Sequence, residues 1–370
     1  MLYSAIIIGA GPAGLAASHG LKKNGIDHVV LEAGPQIAFK WTQLYDSLTL
    51  HTGKHMSALP GMPFPKETPL FPSRIDFLDY LSNYTKSFQL PIRTGCEVIK
   101  IERLENRWKI FEKDKEWESV NLVVATGILS SPNVPNFPGQ EKFRGRILHS
   151  VDYRRPDPFI GHRVLVIGVG NSGGEISAEL AKFGAKVTIA VRSGALILPR
   201  ALLGIPIQYY SCIVSYFPRK VQQMITAATS KVAEIMRGKP VLPKPPFTEC
   251  PDVPLIGFHL ADAIRRGSIS VKGAISEFLE DGVKFVDGTK EVFDNIICAT
   301  GYHAAVGILQ GLIQMDHCGF ARRKNRIESL DQPNLYFIGH NYDGTGGLFN
   351  IARDSKILTH RLSIQNSKNP

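Results

Sequence analysis

Ala5-Ile-Ile-Ile8-Gly9-Ala-Gly11-Pro-Ala-Gly14 stands near the start of the chain, and Val164-Leu-Val-Ile167-Gly168-Val-Gly170-Asn-Ser-Gly173 repeats its pattern 159 residues further on. In each case an apolar run of strand character leads into a glycine turn and then into helical text. The first helix is predicted over Pro12 to Asn24, stopped by Gly25, with a strand at Val29 to Glu32. The second is predicted over Gly174 to Phe183, with a strand at Val187 to Val191. In a G-x-G-x-x-G turn of this kind the first glycine permits the tight turn. The second lets backbone approach a pyrophosphate, and the third lets helix and strand pack closely. Free N–H groups and the dipole at the helix start favour a phosphate there. One such motif is a weak signal, because glycine turns are common. Two of them predict an α/β protein with two Rossmann-like dinucleotide-binding domains, holding two dinucleotides face to face. That is the plan of a redox flavoenzyme rather than of a simple dehydrogenase.

The residue ending the second strand of each unit separates the ligands. Glu32 lies 18 residues after Gly14. A carboxylate there accepts the ribose hydroxyls of an adenosine and repels a 2′-phosphate, which suits FAD or NAD. Arg192 lies 19 residues after Gly173 and is followed by Ser193. A guanidinium matches a phosphate dianion in bidentate fashion, which suits NADPH; a solvated surface arginine is the alternative. The expected cofactor contacts are Gly9, Gly11, Pro12, Ala13, Gly14 and Glu32 for the first site. For the second they are Gly168, Gly170, Asn171, Ser172, Gly173, Arg192 and Ser193. Two Ala-Thr-Gly triplets, 125–127 and 299–301, each close an apolar strand. Their Thr126, Gly127, Thr300 and Gly301 are candidates for backbone approach to a cofactor or for a domain crossing.

The bulk properties agree. A length of 370 residues allows two domains, and 44% hydrophobic content can fill their cores. The net charge of +10 and pI near 9.3 suit anionic ligands or a membrane surface. Lys and Arg are spread along the chain without basic blocks, which argues against nucleic acid. Cys96, Cys212, Cys250, Cys298 and Cys318 are odd in number and widely spaced. They fit free thiols in a reducing, cytoplasmic setting. With no CxxC pair, neither a redox dithiol nor a zinc ribbon is supported, and no metal site is expected. No apolar run of about 20 residues marks a membrane span.

Between the fingerprints, 40–75 is loop-rich, 74–88 reads as helix, and Glu97 to Asn121 alternates as a β-meander. Leu202 to Phe217 is apolar and aromatic, and reads as substrate-channel wall, membrane-dipping patch or core; a helix is expected from Arg219 to Arg237. A last strand, Leu335 to Gly339, leads through a glycine turn into a helix from Asn350 to Leu362. The natural parse has one domain interrupted by another. Residues 1–155 and 295–370 form an FAD-binding domain, and 156–294 an inserted NADPH-binding domain.

The segment Phe143-Arg-Gly145-Arg-Ile-Leu-His149-Ser-Val-Asp-Tyr153 lies between the two glycine turns. F-x-G-x-x-x-H-x-x-x-Y resembles the fingerprint of class B flavin-dependent monooxygenases. Tyr153 stands where the Baeyer–Villiger branch has tryptophan, so the flavin-containing monooxygenase branch is closer. The YUCCA-type indole-3-pyruvate monooxygenases are closer still. The similar stretches include Leu31-Glu32, Trp41, Tyr45 to His51, Leu59 to Pro65, Val191-Arg-Ser193, Leu198-Pro-Arg200 and Phe285-Val-Asp-Gly288.

The resemblance implies an NADPH-dependent enzyme that forms a flavin C4a-(hydro)peroxide. One oxygen atom then passes to a small organic substrate, either a 2-oxo acid such as indole-3-pyruvate or a sulfide or amine. An NADPH oxidase or a flavin reductase without oxygen transfer is the alternative. The partners implied are a small molecule and O2, and a homodimer is compatible. The resemblance places Trp41 with the cofactor residues and His51 and His149 with the catalytic ones. His51 departs from the asparagine of the animal-type enzymes, and an ordinary loop role is its alternative reading. For His149, domain or NADP-site organisation is favoured over proton transfer. The text Gly339-His-Asn-Tyr-Asp-Gly344 also departs from the Gly-Asp pair common in flavoproteins.

Overall fold

The computed structural model describes residues 1–218, 220–222, 224–225, 228–229, 238–246, 250 and 254–368. Most of the helix expected from Arg219 to Arg237 lies outside them. The chain divides into two units, Met1–Ser131 with Tyr302–Pro370, and Pro132–Gly301.

The first unit is built on Leu2–Ile8, which pairs in parallel with His28–Glu32 on one side and Glu116–Val124 on the other. Ile92–Thr94 and Leu335–Phe337 extend this parallel sheet at either side. The expected meander forms, with Lys100–Arg103, Trp108–Phe111 and Glu116–Val124 pairing antiparallel. Residues Ala5 to Ile7 are fully buried, as befits a parallel strand covered on both faces. One face carries the helix Pro12–Lys23 against the closing helix Gly347–Lys368, where a Cβ on Gly20 would sit 2.0 Å from Thr359 Oγ1. The helix Arg74–Phe88 matches its expected span. Ser73 caps it in a box with Asp76, and it buries Phe77, Tyr80 and Tyr84.

The second unit repeats the plan. Its parallel sheet runs Ile269–Lys272, Lys186–Ala190, Arg163–Ile167, Asn295–Cys298, Arg146–His149. A three-stranded antiparallel sheet (Ile275–Phe278, Gly282–Phe285, Lys290–Val292) packs Phe278 and Phe285 with Phe143 and Phe293 in one core. The chain divides at 131/132 and 301/302, where the sequence reading expects 155/156 and 294/295. Arg146–His149 and Asn295–Cys298 hydrogen-bond each other and the fingerprint strand, so both belong to the second sheet.

Leu202 to Phe217 is mostly surface, with Pro206, Ile207 and Gln208 buried. Ala201–Leu202 and Ile205–Pro206 form a hairpin leading into the helix Ile207–Val214, and most of the large apolar side chains here are exposed. Among the described residues, no helix is long and apolar enough to cross a membrane.

Candidate active site

The two glycine turns have the same geometry. Gly9 takes φ +101° and Gly168 φ +103°, values that favour glycine. A Cβ on Gly9 would lie 2.7 Å from Ala125 O, and one on Gly168 2.5 Å from Ala299 O. Each Ala-Thr-Gly strand end thus closes against the first glycine of its own fingerprint. A Cβ on Gly14 would be 1.8 Å from Gly9 O, and one on Gly173 2.2 Å from Gly168 O, so the third glycines set the helix–turn contact. The second glycines differ. A Cβ on Gly11 or Gly170 would meet nothing within 4 Å, leaving open space where a dinucleotide's phosphates need it. The helices Pro12–Lys23 and Asn171–Lys182 start at Gly11 and Gly170 with no side-chain cap and no acid in the first turn. Their first N–H groups are therefore available to an anion.

Around the first turn, Glu32 accepts from Ala10 N–H at 2.7 Å and Gly34 N–H at 2.9 Å, which aims its carboxylate at the turn. Pro12 and Ala13 are buried in the first helical turn. Thr126 donates to Ala305 O at 2.6 Å, and Gly127 takes φ +65° with open space at its Cβ position. The Thr126 hydroxyl proton is thus bonded within the fold. Trp41 packs edge-on against Phe77 at 4.7 Å, on the rim of the core. His51 is half-buried in the loop before the short helix Lys54–Ser57.

Around the second turn, Arg192 and Ser193 are exposed just beyond the strand Lys186–Ala190. Ser172 is half-exposed in the first turn of the helix. Asn171 donates to Pro254 O at 3.1 Å and accepts from Ile256 N–H at 2.8 Å, so its amide sutures 254–256 to the turn. Thr300 donates to Asn133 O, and Asn133 returns a bond to Thr300 O at 3.2 Å.

The F-x-G-x-x-x-H-x-x-x-Y segment is a set of anchors within this unit. Phe143 packs on Phe278, and a Cβ on Gly145 would collide with Asp294 O at 2.6 Å. His149 Nε2 lies 3.1 Å from Gly301 O, and Nδ1 accepts from Val151 N–H at 3.1 Å. A carbonyl only accepts and an amide only donates, so the ring is the neutral Nε2–H tautomer. Burial lowers its pKa, against the opposing pull of the Gly301 carbonyl. Tyr153 is buried and donates to Glu179 Oε2 at 2.7 Å on the fingerprint helix. His149 thus ties the end of the second Ala-Thr-Gly triplet to this segment. His149→Ala is expected to cost about 1–3 kcal/mol through two buried groups left unpaired. NADPH KM should rise while the pH dependence of kcat is unchanged, as thermal melts and steady-state pH profiles would establish.

Sequence reasoning missed a polar network beside the closing helix. Arg326, held at φ +72°, pairs with the fully buried Asp354 at 2.8 Å and bonds Asn350 at 2.8 Å. Asn341 joins Asp354 at 2.5 Å and Arg323 at 3.2 Å, and Asn350 continues to Asp343 at 3.0 Å. Together they brace the glycine run from Gly339 to Gly347. Gly339 itself packs on Ala13 of the first fingerprint helix. The one visible signal was the polar text inside that run.

His340, at 1% exposure, lies against Phe337 and Phe320 with neither ring nitrogen hydrogen-bonded. Burial, aided by Arg323, lowers its pKa to about 3. His28, which bonds Ser18 at 2.8 Å, is also lowered by burial. The unfolded chain binds these protons at the ordinary value of 6.5, and the folded chain does not. Their stabilisation is therefore complete above that value and declines as pH falls below it, for His340 down to about 3. His340 should contribute a slope of about 1.4 kcal/mol per pH unit in that window. Urea unfolding between neutral and acid pH should give this slope, and His340→Leu should flatten it.

Comparison with known proteins follows this geometry. Residues 4–339 match the family profile described as flavin-binding monooxygenase-like. The chain is 35% identical over 372 residues to the indole-3-pyruvate monooxygenase YUCCA1 of Oryza sativa subsp. japonica, covering 95% of this chain and 90% of that protein. It is 34% identical over 311 residues to the probable indole-3-pyruvate monooxygenase YUCCA4 of Arabidopsis thaliana, covering 81% and 76%. Among solved structures it is similar to a double mutant of a flavin monooxygenase from Stenotrophomonas maltophilia. The TM-score is 0.78 at 25% identity, over 99% of both chains. It also shares the fold of a cyclohexanone monooxygenase from Rhodococcus sp. Phi1 bound to NADP+, with TM-score 0.73 at 19% identity over 99% and 85%.

Proposed function

The chain belongs to the flavin-binding monooxygenase-like family, and on that premise we propose that it inserts one atom of O2 into a small 2-oxo acid of the indole-3-pyruvate type. FAD and NADPH are its cofactors, FAD held by the first glycine turn and NADPH by the second. When bound, the flavin supplies the chemistry, taking hydride from NADPH and activating O2 at C4a. The chain supplies binding, orientation and electrostatics. The N–H groups beyond Gly11 and Gly170 receive the pyrophosphates. Glu32 has about four acceptor sites on its two oxygens. Two serve Ala10 and Gly34, and the others receive the ribose hydroxyls. Arg192 and Ser193 receive the 2′-phosphate. His149, Tyr153 and Asn171 hold the second site in shape from behind.

The observation that carries this reading is a pair of like cradles with unlike neighbours. Open space lies at the Cβ positions of both Gly11 and Gly170, the Glu32 carboxylate is bonded to Ala10 N–H at the first turn, and the exposed Arg192 follows the second strand of the other unit. The substrate class is supported by the relatives at 34–35% identity, which are indole-3-pyruvate monooxygenases. The reaction balances as 2-oxo acid, O2, NADPH and a proton giving the carboxylic acid one carbon shorter, CO2, NADP+ and water. With ¹⁸O2 and indole-3-pyruvate, one labelled atom is expected in the new carboxylate and the other in water. Hydrogen peroxide formed in step with NADPH use, whatever organic substrate is present, would instead identify an oxidase.

A further inference from the structure

Arg323 carries a charge that the fold does not answer. It lies in the first unit, on the hairpin that pairs Arg323–Lys324 with Glu328–Ser329. Its Nε donates to Ala321 O at 3.0 Å, and its Nη1 to Asn341 Oδ1 at 3.2 Å and Arg326 O at 3.4 Å. All three acceptors are neutral, and both N–H groups of Nη2 are left over. Burial lowers the Arg323 pKa, so the guanidinium has given up water. The two acids whose charge reaches it are engaged elsewhere. Asp316 accepts from Cys318 N–H at 2.9 Å and Phe320 N–H at 3.0 Å, and Asp354 is bonded by Arg326 and Asn341. Among the described residues no carboxylate forms an ion pair with Arg323. A charge drawn out of water is ordinarily paired, so this one is a place for an anion.

The surroundings of that cation are aromatic. Its guanidinium stands 5.9 Å from the centroid of Phe320, which stacks on Tyr342 at 5.7 Å with 25° between the rings. His340, neutral and with neither ring nitrogen bonded, packs edge-on to Phe320 at 6.2 Å. Phe320, Arg323 and Tyr342 are half-buried, so one side of the cluster meets solvent. The backbone beneath is fixed. The hairpin turns through Asn325 at φ +48° and Arg326 at φ +72°, which is strained for side chains of this kind, and the Arg326–Asp354 pair holds it there. We propose that Arg323 binds the carboxylate of the substrate and that the Phe320–Tyr342 stack receives its aromatic ring. This rests on the oxo-acid reading above and names the side chain that selects for the acid. The free N–H groups make charge-assisted bonds to a carboxylate, and aromatic rings accept an indole by offset stacking. An uncharged sulfide would leave the guanidinium unpaired, and a small inorganic anion would leave the stack unused.

The test is calorimetric titration of the FAD-loaded, oxidised enzyme with indole-3-propionate, which has the ring and the carboxylate but no oxo group to react. Arg323→Gln should weaken this binding about 10- to 100-fold, as the loss of a charge-assisted hydrogen bond does. Its FAD content and its affinity for uncharged indole should stay at parental values. Arg323→Lys should show a smaller loss of the same sign, which keeps the test open if the glutamine variant does not fold. Phe320→Leu should weaken indole and indole-3-propionate alike. In turnover, Arg323→Gln should raise the KM for indole-3-pyruvate more than it lowers kcat. A parent enzyme that does not bind indole-3-propionate, or binding and KM unchanged in both Arg323 variants, would overturn the proposal while leaving the oxygenation reading intact. Loss of FAD from both variants without a change in melting temperature would also overturn it, because the anion would then be the cofactor's phosphate. Arginine-dependent binding of the acid in an enzyme that does not oxygenate indole-3-pyruvate would uphold the carboxylate site and sink the reaction instead.

Discussion

Gly14→Ala is expected to yield protein without bound flavin, and Gly173→Ala a yellow protein whose flavin NADPH no longer bleaches under anaerobic conditions. The new methyl would stand 1.8 Å from Gly9 O in the first case and 2.2 Å from Gly168 O in the second. Both obstacles are backbone, so no side chain can swing away. Helix and turn must separate, and the N–H groups leave their places. Overpacking of a tight contact costs about 1–3 kcal/mol, and a clash with backbone stands at the upper end. That corresponds to a loss of about 100-fold in dinucleotide affinity. Gly11→Ala and Gly170→Ala form the contrast. Their methyls would meet no protein atom within 4 Å, so these variants should melt like the parent yet lose the same ligands. If Gly11→Ala keeps its FAD at parental affinity, the pyrophosphate does not lie above that turn.

Arg192→Ala is expected to raise the NADPH KM by about 10- to 100-fold and leave the NADH KM in place. Charge-assisted hydrogen bonds to a phosphate contribute about 1.5–3 kcal/mol, and NADH has no 2′-phosphate to lose them. Arg192→Lys should recover part of the effect, because an ammonium keeps the charge but not the fork. Parallel shifts in both KM values would move the 2′-phosphate elsewhere.

What was legible in the chain was local. The glycine turns, the helix over 74–88, the meander and the contrast between Glu32 and Arg192 all follow from spacing. Turn chemistry and hydrophobic period act over a few residues and are written in consecutive text. The resemblance carried by Phe143 to Tyr153 named the family, but not what its residues do. His149 reads in the sequence chiefly as an organiser of the second site, and the structure bonds it to Gly301, 152 positions away. Thr126 closes an apolar strand in the sequence, and only the structure shows that its hydroxyl donates to Ala305, 179 positions away.

The sequence by itself determined two dinucleotide units, their order and the sign of the charge that follows the second strand of each. Only the tertiary structure decided where one unit ends and the next begins, because that depends on which sheet Arg146–His149 and Asn295–Cys298 join. It also decided that Arg326 and Asn341 converge on Asp354, and that Leu203 faces water. Hydrogen-bond partners and burial are set by chain segments distant in sequence, and no local periodicity records them.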